Sequence, residues 1–162
     1  MTTSSRERPA YAGAKEILPA RFPLEYRAFR QLHRDIYVRY AFVRTEREAA
    51  AVRCVEAVFQ TLSAEWTAAL RSETPAARAW QLLRQEATAR SECRPGHSWS
   101  VHCLLEGQQA DAFLLRRRLG LTVAQTATFM GVADYTVRAW LRTAERSLLG
   151  VPRCVPLAGV GW

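Results

Sequence analysis

Arg138, Arg142 and Arg146 are the residues best placed to do chemistry in this chain. They fall at i, i+4 and i+8, so a helix would gather them into one basic ridge. Val137, Leu141, Ala144 and Leu148 fall at i, i+4, i+7 and i+11, an apolar stripe on another side of the same helix. A helix with an apolar back and an arginine ridge suits the major groove of duplex DNA. There, guanidinium groups pair with base edges or phosphate oxygens. An amphipathic helix whose arginines merely face water has the same spacing, so the ridge alone leaves both readings open.

The element ahead of the ridge favours the first. Thr122 precedes Val123 and is followed three residues on by Gln125. This predicts a capping box, in which the Thr hydroxyl satisfies a free amide of the first turn and the Gln side chain reaches back. A helix is expected from Val123 to about Met130, closed by Gly131 in the left-handed conformation. Asp134 is expected to cap the next helix. Leu121 to Leu148 therefore reads as two short helices joined by a tight turn, the helix-turn-helix pattern.

A second constellation lies at 91–109, SECRPGHSWSVHCLLEGQQ, where Pro95, Gly96 and several serines break the periodicity. Cys93, His97, His102 and Cys103 place two thiols and two imidazoles within eleven residues. Such donors suit tetrahedral zinc, but the spacing is unusual, and adjacent His102 and Cys103 would both have to turn inward. A linker with incidental Cys and His is preferred, and no metal or other cofactor is assigned. Cys54 reads as a small core residue. No phosphate-cradling glycine loop and no Ser/His/Asp or Cys/His arrangement appears, so an enzyme is not expected.

The elements that must position these residues are helical. Phe29, Leu32, Ile36, Tyr40 and Val43 step by three and four from a start near Leu24. Val52, Val55, Phe59, Leu62 and Trp66 repeat the spacing in a second helix. Pro75 suits the first position of a third, lined by Trp80, Leu83 and Ala87. No segment alternates like a strand. The expected fold is all-α: a small helical bundle at 24–90, a linker at 91–109 and a helix-turn-helix unit at 110–149. Phe113, Leu114 and Leu119 would pack the preceding helix beneath the second helix of that unit. Residues 1–23 read as a flexible tail. The tail at 150–162 carries Val151, Val155, Leu157, Val160 and Trp162, and its role stays open.

The 162 residues carry a net charge of +8, and Lys15 is the only lysine. This excess favours a polyanionic or acidic partner. MTTSSRERPA has no apolar core, so no secretory signal is expected, and no apolar run is long enough to span a bilayer. A cytoplasmic location is expected, with the four cysteines reduced.

The stretch from Leu121 to Leu148 resembles region 4 of sigma-70 family initiation factors of bacterial RNA polymerase, in the short extracytoplasmic-function group. These commonly read L-T/S-x-x-E-I-A-x-x-L-G-V-x-x-x-T-V-x-x-R-L-x-R-A-x-x-x-L. Leu121, Thr122, Ala127, Gly131, Val132, Thr136, Val137, Leu141, Arg142, Ala144 and Leu148 match; Gln125, Thr126 and Trp140 depart. Residues 24–90 resemble region 2 more loosely, through Val55, Val58, Phe59, Leu62 and Trp66, then Trp80 and Leu82. Where the family has an Ala-Glu-Asp run that helps grip the polymerase clamp, this chain has Ala51, Val52 and Arg53, with Glu56 the nearest acid on that helix. Reversing the sign of a contact weakens it or requires it to be rebuilt.

The resemblance implies a partnership with core RNA polymerase and promoter DNA, with an anti-sigma factor as a possible further partner. It implies that the third helix, with Arg78, Arg84 and Arg90, helps hold the single-stranded −10 element, where bases stack on aromatics and guanidinium groups track phosphates. For Trp80 a place in the bundle core is preferred. It also implies that 110–149 binds the −35 element as duplex. Arg138 and Arg142 are then expected at or near base edges, and Arg146, Tyr135 and Thr136 at phosphates. Thr122 and Gln125 complete the expected DNA-binding set. Two alternatives remain: a degenerate relative that binds DNA or protein without gripping the clamp, and a metal- or redox-responsive module built on the Cys/His cluster.

Overall fold

The computed structural model describes residues 22–72, 74–91 and 101–150. Among them are eight helices and no strand, as the all-α expectation requires: α1 (Leu24–Thr45), α2 (Glu48–Ala64), α3 (Trp66–Ser72), α4 (Pro75–Arg90), α5 (Val101–Leu104), α6 (Gly107–Arg117), α7 (Val123–Met130) and α8 (Asp134–Leu149). None of these helices is long and apolar enough to cross a membrane. Cys93, His97, the residues before Phe22 and those after Gly150 lie outside the described residues.

α1, α2 and α4 pack into a bundle. The face that α1 buries differs from the expected stripe. It runs Tyr26, Arg30, His33, Tyr37, Tyr40 and Ala41, while Leu32 is 61% exposed. Phe29 and Val43 are only partly buried against the core. Polar groups share the buried face because each has a partner there. The Tyr26 hydroxyl donates to the Phe59 carbonyl at 2.7 Å. Arg30 reaches Glu56 at 2.7 Å and lies over the Phe59 ring. On α2 the interior residues are Ala51, Cys54, Val55, Val58, Phe59 and Leu62. Trp66 opens α3 instead of closing α2, and sets its ring edge-on against Tyr26 at 5.3 Å.

Pro75 occupies the first turn of α4, as expected, and Thr74 caps it through a bond from the Ala77 amide. Trp80 is 2% exposed and packs between Tyr37 and Tyr40 at 5.8 and 4.7 Å. Full burial of such a ring contributes about 3 kcal/mol. It is a core residue.

α6, α7 and α8 pack on one another, and α7 also packs on α4. One hydrophobic core passes from Tyr37, Phe59, Trp80 and Leu83 to Leu114, Leu115, Leu121, Met130 and Val137. A smaller cluster, Leu105, Ala110, Phe113 and Ala144 with Leu141 and Leu148, joins α6 to α8. Phe113 thus lies beneath α8, while Leu114 points to the larger core. The expected linker at 91–109 contains the short helix α5, and α6 already begins within it at Gly107, where the backbone turns with φ +50°.

Candidate nucleic-acid interface

The unit that presents the arginine ridge is built as its residues dictate. The Thr122 hydroxyl accepts from the Gln125 amide at 3.1 Å, and the Gln125 side-chain carbonyl accepts from the Thr122 amide at 2.8 Å. This reciprocal pair satisfies two of the free donors at the α7 N-terminus. At the other end Gly131 adopts φ +68°, and its amide and that of Val132 reach back to the last carbonyls of α7. Residues 131–133 then turn the chain into α8.

Asp134 does not cap α8. Ala133 occupies the cap position without a side-chain bond, and Asp134 is the first helical residue. There its carboxylate still favours the positive end of the helix dipole. It also faces Arg138 at 4.0 Å.

Val137 and Ala144 are fully buried beneath α8, with Leu141 and Leu148 partly so. The opposite side is open: Tyr135, Arg138, Arg142 and Arg146 are all exposed, Tyr135 by 76%. Thr136 is half-buried beside them, and Thr122 and Gln125 are exposed at the start of α7. Arg146 makes only long bonds, at 3.4 Å, to the Arg142 carbonyl and the Thr143 hydroxyl. The exposed pair Arg117–Glu145, 2.9 Å apart, ties α6 to α8. Pairs of this kind contribute under about 1 kcal/mol. The ridge is therefore accessible.

The arginines of α4 are placed differently. Arg78 forks onto Glu65 at 2.8 and 3.0 Å. Arg90 pairs with Glu86 one turn earlier. Arg84 turns inward, its Nε 2.6 Å from Asp111 Oδ2. With Trp80 in the core, α4 does not display the aromatic and basic residues together as a surface for single-stranded DNA. Arg84 and Arg90, grouped with the DNA-binding residues by their sequence, are engaged within the protein.

On α2, Arg53 is exposed and Val52 half-buried at the positions where the acidic run would stand. Glu56 is held by Arg30 at 2.7 Å and Arg34 at 3.4 Å.

Asp111 stands outside every motif of the sequence. This fully buried carboxylate on α6 accepts from the Tyr40 hydroxyl at 2.6 Å. His102 Nε2 lies 2.7 Å from the same oxygen, and Arg44 lies 3.7 Å away. Arg44 also donates to the Tyr40 hydroxyl at 3.0 Å. Burial, with the Asp111 charge adding to it, pushes the Tyr40 phenol well above its ordinary range, so it remains a donor. A signal was present: Asp111 stands at i−3 and i−4 from Leu114 and Leu115, on the stripe that must be buried.

His102 is thus directed at Asp111, and Cys103 is exposed. Among the described residues no group of three or more His, Cys, Asp or Glu is arranged to hold a metal ion.

Comparison with models of known protein families gives no match, and no curated protein or solved structure is significantly similar to the chain.

Proposed function

We propose that the chain is a sigma-like transcription initiation factor that binds core RNA polymerase and recognises promoter −10 and −35 DNA. The observation that carries this reading is the open arginine face of α8, set on an apolar back and entered from a capped α7 and a left-handed Gly131 turn. In this role α8 lies in the major groove of the −35 duplex. Arg138 and Arg142 reach base edges, and Arg146, Tyr135 and Thr136 hold phosphates. An anti-sigma factor is a fitting regulator, the protein works in the cytoplasm, and it performs no catalysis. The test is co-elution of the purified chain with core RNA polymerase at moderate salt. A stable complex is the expected result.

A second reading is favoured by α2 and α4. Arg53 is exposed where the family carries a carboxylate, Glu56 is held by two arginines of α1, and Arg84 is turned onto Asp111. These placements suit a sigma-like DNA-binding regulator that does not grip the clamp. Absence of a polymerase complex with duplex binding retained would select it. A Cys/His metal or redox module has less support, since His102 is directed at Asp111. Zinc in the purified protein would revive it.

A further inference from the structure

We infer that Asp134 and Arg138 act as a couple that reads one G·C base pair across both strands, Arg138 on the guanine and Asp134 on the cytosine. The inference rests on the duplex-reading role proposed for α8 and names the base pair that its first turn selects.

The arginine ridge has an acid at its tip. Asp134, Arg138, Arg142 and Arg146 follow one another at steps of four, so the ridge begins with a residue of opposite sign. The family pattern L-G-V-x-x-x-T-V leaves position 134 open, so the resemblance assigns this residue nothing. Asp134 does not cap α8, since Ala133 holds the cap position. Among the described residues its ion-pair partner is Arg138, at 4.0 Å, which is beyond hydrogen-bond range. Both side chains are more than half exposed. A carboxylate in this place repels phosphates and weakens binding to any duplex. The tip of α8 thus carries an acceptor beside a donor fork, both open to whatever the helix meets.

The tip is also the part of the ridge that faces the groove floor. Each step of four drifts by about 40° around a helix, so Arg146 lies about 120° round from Asp134. In helix-turn-helix docking the N-terminal residues of the second helix meet base edges.

The base edges themselves select the couple. From its purine side a G·C pair presents two acceptors, N7 and O6, and then a donor, the cytosine N4 amino group. O6 and N4 are hydrogen-bonded to each other and lie about 2.9 Å apart. A guanidinium fork on N7 and O6 with a carboxylate on N4 matches that row, and side chains 4.0 Å apart can take neighbouring groups. An A·T pair presents acceptor, donor, acceptor, so the fork finds no adjacent acceptors. A pair turned round as C·G sets the carboxylate against guanine acceptors, which repel it.

The test is selection from a pool of randomised duplexes by the parent chain, Arg138→Ala, Asp134→Ala and the double variant. Affinities are then measured on the selected sequence and on its single-pair changes. The parent should enrich one G·C pair. Each single variant should lose about tenfold or more of the preference at that same pair and keep its preferences elsewhere. The double variant should lose less than the product of the two single losses, as a coupled pair does. Asp134→Ala should also bind unrelated duplexes more tightly, because a repelling charge has gone. The preference is a ratio of affinities for one preparation, so partial unfolding does not move it.

Three results would overturn the couple. Equal gain on every duplex for Asp134→Ala, with the preference intact, would make Asp134 a repelling charge alone. Equal loss on every duplex would make it a support for the start of α8. Preferences lost at two different pairs would make Asp134 and Arg138 separate contacts. In each of these cases α8 remains a reader of DNA. A parent chain that binds no duplex would remove that reading and the couple together.

Discussion

Gly131, in the turn between α7 and α8, abuts the first turn of α4: a Cβ built there would lie 2.1 Å from the Ala77 amide nitrogen. The position also has φ +68°. Two costs therefore fall on any side chain here. The left-handed conformation costs a non-glycine residue about 1–2 kcal/mol, and forced overpacking adds about 1–3 kcal/mol. Gly131→Ala is expected to lower unfolding stability by about 2–5 kcal/mol in urea titrations. Gly131→Asn tolerates the backbone conformation but not the contact, so it should be nearly as damaging. An Asn variant as stable as the parent would show that α4 does not press on the turn.

The exposed ridge separates binding from folding. Arg138→Ala should leave the urea midpoint almost unchanged, because Arg138 is exposed and its pairing with Asp134 is long. If it reads a guanine, the same change costs about 1–3 kcal/mol of promoter-duplex affinity and relaxes preference at one base position. Arg146→Ala should instead weaken all duplexes alike and reduce the salt slope by about one. Affinities measured against a panel of duplexes at several salt concentrations decide this. Equal loss on every sequence for Arg138→Ala would move it to the phosphate-contacting set.

Cys54 lies fully buried on α2, and burial pushes its thiol up to about 11 despite the nearby charges of Arg90 and Arg44. Only the thiolate attacks an alkylating reagent. At pH 8, iodoacetamide should leave Cys54 unmodified in the native protein and modify it in denaturant, while exposed Cys103 is modified in both. Peptide mass spectrometry reads each site. Native modification of Cys54 at the rate of Cys103 would mean that α2 is not packed as described.

The features legible in the sequence were local. The capping box at Thr122 and Gln125 and the left-handed turn at Gly131 depend on a few adjacent residues, and both stand as expected. The helices of the first block followed from their three-and-four spacing. The buried face of α1 was harder, because Arg30 and His33 lie inside and Leu32 outside. Hydrophobicity alone shifts that stripe, since the polar pair is made acceptable by Glu56 and the Phe29 carbonyl. Asp111 was least legible. Its partners Tyr40, Arg44 and Arg84 lie 71, 67 and 27 positions away, and only the packing of α6 on α1 and α4 brings them together.

His33 makes stability depend on pH in a way that can be assigned. Its ring stacks on Phe29 at 3.9 Å and meets the edge of Phe129 at 5.2 Å. Nδ1 lies 2.9 Å from the Phe29 carbonyl, so the neutral ring carries its proton there and donates. Nε2 is buried without a hydrogen-bond partner, and a second proton would enter an apolar site. Burial accordingly lowers the pKa from its ordinary 6.5. Below that value the unfolded chain binds more protons than the folded one. The stability contribution is thus present at neutral pH and is lost as pH falls below 6.5 toward the lower folded value. The slope from one such group is at most about 1.4 kcal/mol per pH unit. Urea midpoints at pH 7.5, 6.5 and 5.5 for the parent and for His33→Gln isolate this contribution, because other titrating groups are common to both. The parent should lose more stability than the variant between pH 6.5 and 5.5. Equal losses would place His33 in contact with water and outside the aromatic seam between α1 and α7.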